Sequence, residues 1–215
     1  MTLPPEWPDR LPWIPWLPAY WGESARLFKH PPDLAVVHSG SVAAWVAEYL
    51  SNPVCRRPKG CPPGIRRWRG ARLCRDGEWR RVAAAHLCWY EGRINKVLPG
   101  LHLPPQGYEG FVQQVSLRRQ AWGAGGSRFL GRGAVNARAI HIELPGPADA
   151  HERPDVQREA LRGLLLDLRD CLPSLKYLTA HQWIDKRKRD PGPAVDAGWF
   201  AGLGFEVYWR DCRRG

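Results

Sequence analysis

The stretch from residue 139 to residue 181 constrains the fold most. Its middle carries apolar side chains at Val156, Ala160, Leu161, Leu164, Leu165, Leu168 and Leu172, the spacing of one helical face. Pro154 and Asp155 suit the start of that helix and Pro173 its end. On either side lie runs too short to be helices. AIHIEL at 139–144 alternates, with Ile140, Ile142 and Leu144 on one face and His141 and Glu143 on the other. YLTAH at 177–181 reads as a strand ending in a histidine. A helical stripe between two strands needs a sheet to bury it, so the class is α/β.

Upstream, LAVVH at 34–38 is another buried strand ending in a histidine. Ser39-Gly40-Ser41 forms a turn and helix cap. Val42, Trp45, Val46, Tyr49 and Leu50 then recur at helical spacing until Asn52-Pro53. AAHLCWYEGRINKVLP, from Ala84, reads as two strands around a Glu91-Gly92 turn. Residues 100–135, rich in glycine and proline, are loop-like. A short helix or strand follows Pro193. The expected architecture is a single α/β domain with a central mixed β-sheet flanked by helices, its site at strand ends. Residues 1–30 form a Trp/Pro-rich arm, with tryptophans packed on a domain spanning 31–215; repeated proline forbids a long helix before about Ala19.

Charge is uneven. The chain carries a formal net charge of +11, and residues 55–81 hold ten Arg/Lys against two acids, a net of +8. Such a segment, an insertion at about 54–81, fits an anionic envelope surface; a solvated arginine-rich loop is the plainer reading, and part of it is expected to form a β-hairpin continuing into Val82–Trp89. No run of eighteen apolar residues exists, so no transmembrane helix is expected. The N-terminus lacks a basic region followed by an apolar one, and no secretory signal is expected. The six cysteines match no C-x-x-C zinc pattern; Cys55 and Cys61 can close a small loop in an oxidising compartment, and free thiols are the equal alternative.

The chemistry-bearing stretch is HQWIDKRKRDPGP, residues 181–193. His181 ends a strand, and Asp190 sits before Pro-Gly-Pro. Asp185 is the nearer carboxylate, but Pro-Gly-Pro marks Asp190 as the braced one. With His38, this makes two imidazoles and a carboxylate, a donor set that suits Zn²⁺ and leaves a fourth position for water. Zinc lowers the pKa of water to roughly 7. Glu143 is a candidate for moving the proton, and the Lys188 ammonium for facing an oxyanion. Each also has a plainer reading: structural histidines, a surface acid, a solvated basic turn.

The segments VVHSG, AAHLCWYEGRINKVLP, AWGAG, NARAIHIEL and AHQWIDKRKRDPGP, in that order, resemble the zinc N-acetylmuramoyl-L-alanine amidases. That family includes phage endolysins, bacterial muropeptide amidases and peptidoglycan recognition proteins. The resemblance covers roughly 34–200, interrupted near 54–80 and 100–117. It implies one Zn²⁺ held by His38, His181 and Asp190, with Glu143 and Lys188 catalytic. His86 and Trp122 match near-site positions. Two departures stand out: Gly123 replaces the histidine of A-W-H-A-G, and His141 replaces the glycine of I-G-I-E-L. His141 then either lines the groove floor or hydrogen-bonds near the site, or is a buried structural histidine.

The resemblance implies a peptidoglycan hydrolase that cuts between N-acetylmuramic acid and L-alanine. The compact, basic chain favours a monomeric phage endolysin, made in the host cytoplasm and acting on the wall. The alternative is a bacterial muropeptide or wall-remodelling amidase. A non-catalytic peptidoglycan-binding protein of the same fold typically lacks a zinc ligand, and all three are present here. No nucleic-acid partner is expected, since no such binding motif is visible.

Overall fold

Strand β1 (Leu34–Gly40) lies inside the sheet because its apolar residues leave no wet face: Leu34, Ala35, Val36 and Val37 are all fully buried. A computed structural model of the protein describes residues 7–16, 27–40, 67–68, 71–73, 79–80, 85–90, 109–121 and 123–209. The main sheet has six strands in the order β6-β5-β7-β1-β8-β9. They are β5 (Leu87–Tyr90), β6 (Gly110–Gln113), β7 (Ala139–Pro145), β8 (Tyr177–Ala180) and β9 (Glu206–Tyr208), besides β1. Only β5 and β6 pair antiparallel; every other neighbouring pair is parallel, so the sheet is mixed as expected.

Helix α1 (Asp155–Cys171) covers one face, with Pro154 at its N-cap. Its Leu161, Leu164, Leu165 and Leu168 pack with Ala35, Val37, Ile140, Ile142, Leu144 and Leu178. Each such buried leucine contributes about 1.5–3 kcal/mol relative to exposure. Val156 belongs to the predicted stripe but is exposed, while its neighbour Gln157 is buried. On the other face Leu34, Val36 and Ala139 pack with Ala124, Phe129, Val135 and Ile184. His141 and Glu143 alternate with the α1-facing residues, so they share this second face.

Parallel pairing fixes where the chemistry lies. In register, His38 of β1 stands beside Glu143 of β7, and Val37 beside Ala180 of β8, one residue before His181. Cys88 of β5 also pairs with Glu143. Three strands therefore deliver their polar residues to one end of the sheet, the C-terminal end, where open α/β sheets commonly place sites.

The structure departs from the predicted elements in places. β1 runs two residues past His38. The antiparallel partner of β5 is β6, in the stretch expected to be loop. GFVQQV hides that strand: Gln113 and Gln114 are fully buried. The Gln113 amide is used internally, accepting from Leu11 N at 2.9 Å and donating to the carbonyls of Asp9 and Val115 at 3.0 Å. Leu11 is itself buried, and Trp7 Nε1 donates to the Leu117 carbonyl at 3.2 Å, whereas Trp13 is exposed. Within the basic segment three short strands, β2 (Arg67–Trp68), β3 (Ala71–Leu73) and β4 (Trp79–Arg80), form a separate antiparallel sheet. Both C-terminal options occur: a 3-10 helix at Ala197–Phe200, then β9. The helix expected at 42–50, the second strand after Glu91-Gly92 and the Cys55–Cys61 loop lie outside the described residues.

Candidate functional site

His38 reaches the site from β1, and His181 opens the short helix α2 (His181–Ile184) directly after β8. Asp190 comes from the turn beyond α2, and that turn is held on three sides. Gln182 N donates to the Asp190 carbonyl at 2.8 Å, and Gln182 Nε2 to the Gly192 carbonyl at 3.1 Å. The Arg153 guanidinium donates to the Pro191 carbonyl at 2.7 Å. Gly192 sits at φ 96°, and a Cβ there would lie 2.8 Å from the backbone N and O of Ala150. Both facts require glycine, which accounts for the middle residue of Pro-Gly-Pro.

Three ligand-type atoms converge. His38 Nδ1 lies 3.0 Å from His181 Nδ1, and Asp190 Oδ2 lies 2.9 Å from His181 Nδ1 and 3.4 Å from His38 Nδ1. Among the described residues these three form the group able to hold a metal ion. The spacing fits zinc: ligands at 2.0–2.1 Å in a tetrahedron stand about 3.3 Å apart. The donor set of two imidazole nitrogens and a carboxylate fits it as well. Burial, aided by His181, lowers the His38 pKa to about 4 against the pull of Asp190, leaving the neutral imidazole that ligates metals. Asp190 meets opposing effects. Burial would raise it, but hydrogen bonds from His181 and His38 hold it well below the usual carboxylate range.

Glu143 is partly exposed at the end of β7. Burial of its carboxyl, with Asp190 nearby, pushes its pKa up to about 8, and Arg153 and Lys188 pull the other way. Lys188 is exposed on the turn. Asp185 is committed elsewhere: Arg187 donates to both its oxygens, at 2.9 and 2.7 Å. His86 is fully buried; its Nδ1 accepts from His141 N at 2.9 Å and its Nε2 donates to the Arg119 carbonyl at 2.8 Å. Those partners fix its tautomer, and burial lowers its pKa to about 4. His141 is fully buried with Nδ1 2.9 Å from His38 Nε2. Trp122 lies outside the described residues.

Sequence reasoning missed Arg153. Its guanidinium donates to the carbonyls of Pro145, Pro147 and Pro191, tying the end of the Glu143 strand to the Asp190 turn. Nothing in the spacing of PGPADAHERP marks it, because its partners are backbone carbonyls set by the fold. Arg153→Ala is expected to lower stability by about 1–3 kcal/mol. Urea unfolding measures this, and an unchanged midpoint would remove the clamp.

The profile of the N-acetylmuramoyl-L-alanine amidase family matches residues 79–193, just over half of the sequence. The chain belongs to that family. The match includes Glu143, His181, Lys188 and Asp190 but begins after β1, so His38 joins them through the fold. The chain is 41% identical over 87 residues to the 1,6-anhydro-N-acetylmuramyl-L-alanine amidase AmpD of Escherichia coli K12, covering 40% of this chain and 47% of that one. It is 39% identical over 87 residues to AmpD of Enterobacter cloacae, covering 40% and 46%. The chain thus spans just under half the length of the curated relatives it matches. The crystal structure of a selenomethionine AmpD derivative superposes with a TM-score of 0.62 at 23% identity, over 94% of this chain and 99% of that one, a likeness of fold.

Proposed function

We propose that the protein is a zinc-dependent amidase that cleaves the bond between N-acetylmuramic acid and L-alanine in soluble muropeptides. The observation that carries this reading is the convergence of His38 Nδ1, His181 Nδ1 and Asp190 Oδ2 beside Glu143, in a chain of the amidase family. His38, His181 and Asp190 hold the metal, which supplies Lewis-acid polarisation of the carbonyl and acidification of water. Glu143 takes a proton from the attacking water and passes it to the leaving amine. Lys188 faces the charge developing on the carbonyl oxygen.

The relatives favour a muropeptide amidase over the endolysin first expected, because the curated amidases it matches carry names that specify 1,6-anhydro-N-acetylmuramyl-L-alanine. Among the described residues, no helix is long and apolar enough to cross a membrane. The reading is tested by offering the purified protein a 1,6-anhydromuropeptide and, separately, intact peptidoglycan. New L-alanine amino termini are expected to appear at least about 10-fold faster, in kcat/KM, from the soluble substrate, a preference worth about 1.4 kcal/mol. A chelator should remove the activity and zinc should restore it. Faster release from intact peptidoglycan would return the endolysin reading. No release from either would leave a binding protein.

A further inference from the structure

Gly123 and His141 belong to one arrangement. A Cβ built on Gly123 would lie 2.5 Å from His141 Nδ1, 2.6 Å from its Cγ and 3.1 Å from its Cβ. The φ of Gly123 lies outside the left-handed region, so the backbone does not demand glycine there. The demand is for space, and the His141 ring fills it. The two departures from the amidase pattern, a histidine lost at 123 and one gained at 141, are therefore a single exchange across a contact.

The ring that gains this space is held in place. His141 is fully buried on β7, with its N–H donating to His86 Nδ1 and its carbonyl accepting from His86 N at 2.8 Å. The His86 ring stacks on both Phe28 and His141, 15° and 16° from parallel, each at a centroid distance of 5.9 Å. This fixes the direction of His141 Nδ1, which points at His38 Nε2, 2.9 Å away. His38 turns its other nitrogen, Nδ1, toward His181 and Asp190. When Nδ1 is a ligand, Nε2 carries the proton and must donate it, and His141 Nδ1 is the acceptor. A ligating histidine held through its second nitrogen has its tautomer and ring plane set in advance.

We propose that His141 is a positioning residue for the metal centre, accepting the His38 Nε2 proton and thereby aiming His38 Nδ1, and that Gly123 is glycine to admit it. This rests on the metal-site reading above. The test is zinc affinity, measured by competition with a chromophoric chelator, on protein whose folding is checked by the thermal melt of the metal-free form. His141→Leu keeps volume and loses the acceptor; it is expected to weaken zinc roughly 10–100-fold, the usual effect of removing an outer partner of a ligand. His141→Asn keeps an acceptor near the Nδ1 position and is expected to stay within about 3-fold of wild type, less than the loss of an outer partner. Gly123→Ala keeps the histidine but intrudes on its ring, and is expected to weaken zinc about 10-fold. It stands in if His141→Leu does not fold. Wild-type affinity in His141→Leu, or in Gly123→Ala where the leucine variant does not fold, overturns the inference while leaving the metal site intact. Equal weakening in Leu and Asn reduces His141 to packing. A wild-type protein that binds no zinc overturns the metal site and this inference together.

Discussion

Asp190→Ala is expected to weaken zinc binding by more than about 100-fold, beyond the loss caused by removing a partner outside the ligand set. Activity should fall with it. Asp190 supplies the only carboxylate among the three convergent ligand-type residues. Without it, two buried imidazoles face each other at 3.0 Å with one negative charge fewer to attract a dication. Asp185→Ala is the control. Its carboxylate is engaged by Arg187, so zinc affinity and stoichiometry should be unchanged. The metal-free protein offers a second readout. The folded-state pKa of Asp190 is depressed, so its stabilisation is present above the unfolded carboxylate value near 3.9 and is lost as pH falls below it. The stability difference between wild type and Asp190→Ala should therefore be full at neutral pH and shrink in acid. Zinc binding retained by Asp190→Ala and lost by Asp185→Ala would exchange the two roles.

The elements that carry the site were those most legible in the sequence, because each had a period of its own. AIHIEL alternated, so it announced both its strand and which residues share a face with Glu143. The α1 leucines recurred at helical spacing and closed against the opposite face. β6 was not legible. Its buried Gln113 resembles a loop residue until the backbone of residues 9–15 supplies partners, and those lie about a hundred residues away. The Asp190 turn was half legible. Pro-Gly-Pro showed that the chain turns there, but the hydrogen bonds from Gln182 and Arg153 that fix it run to carbonyls, which any residue can offer. The Gly123–His141 exchange showed as two separate oddities. Only the fold joins them: a Cβ at Gly123 would lie 2.5 Å from His141 Nδ1.

Glu143→Gln is expected to lower kcat by about 10²–10⁴, the usual contribution of a positioned proton-transfer group, with zinc still bound. The amide keeps the shape of the side chain and removes the charge and the basic site. Loss of zinc along with activity would make the effect one of metal binding instead. The same pair of proteins reports on the environment of Glu143 without substrate. In the metal-free folded state its pKa is raised to about 8, against about 4.3 in an unfolded chain. Between those values the unfolded state has released the proton and the folded state still holds it. Stability contributed by this group is therefore complete below about pH 4.3 and declines as pH rises toward 8. Relative to Glu143→Gln, wild type should lose stability across that window, by an amount on the order of a few kcal/mol. His38 and His86 act in the opposite sense. Held neutral with pKa values of about 4, they add stability as pH rises from about 4 to their unfolded value of about 6.5. They are common to both proteins, so the difference between wild type and variant isolates Glu143. A difference independent of pH would mean that its carboxyl is not held protonated by burial. Bound zinc brings positive charge close to the same carboxyl, so the acid limb of the activity profile should fall below pH 8. A limb that stayed at about 8 in the zinc-loaded enzyme would place the proton-transfer group beyond the reach of the metal's field.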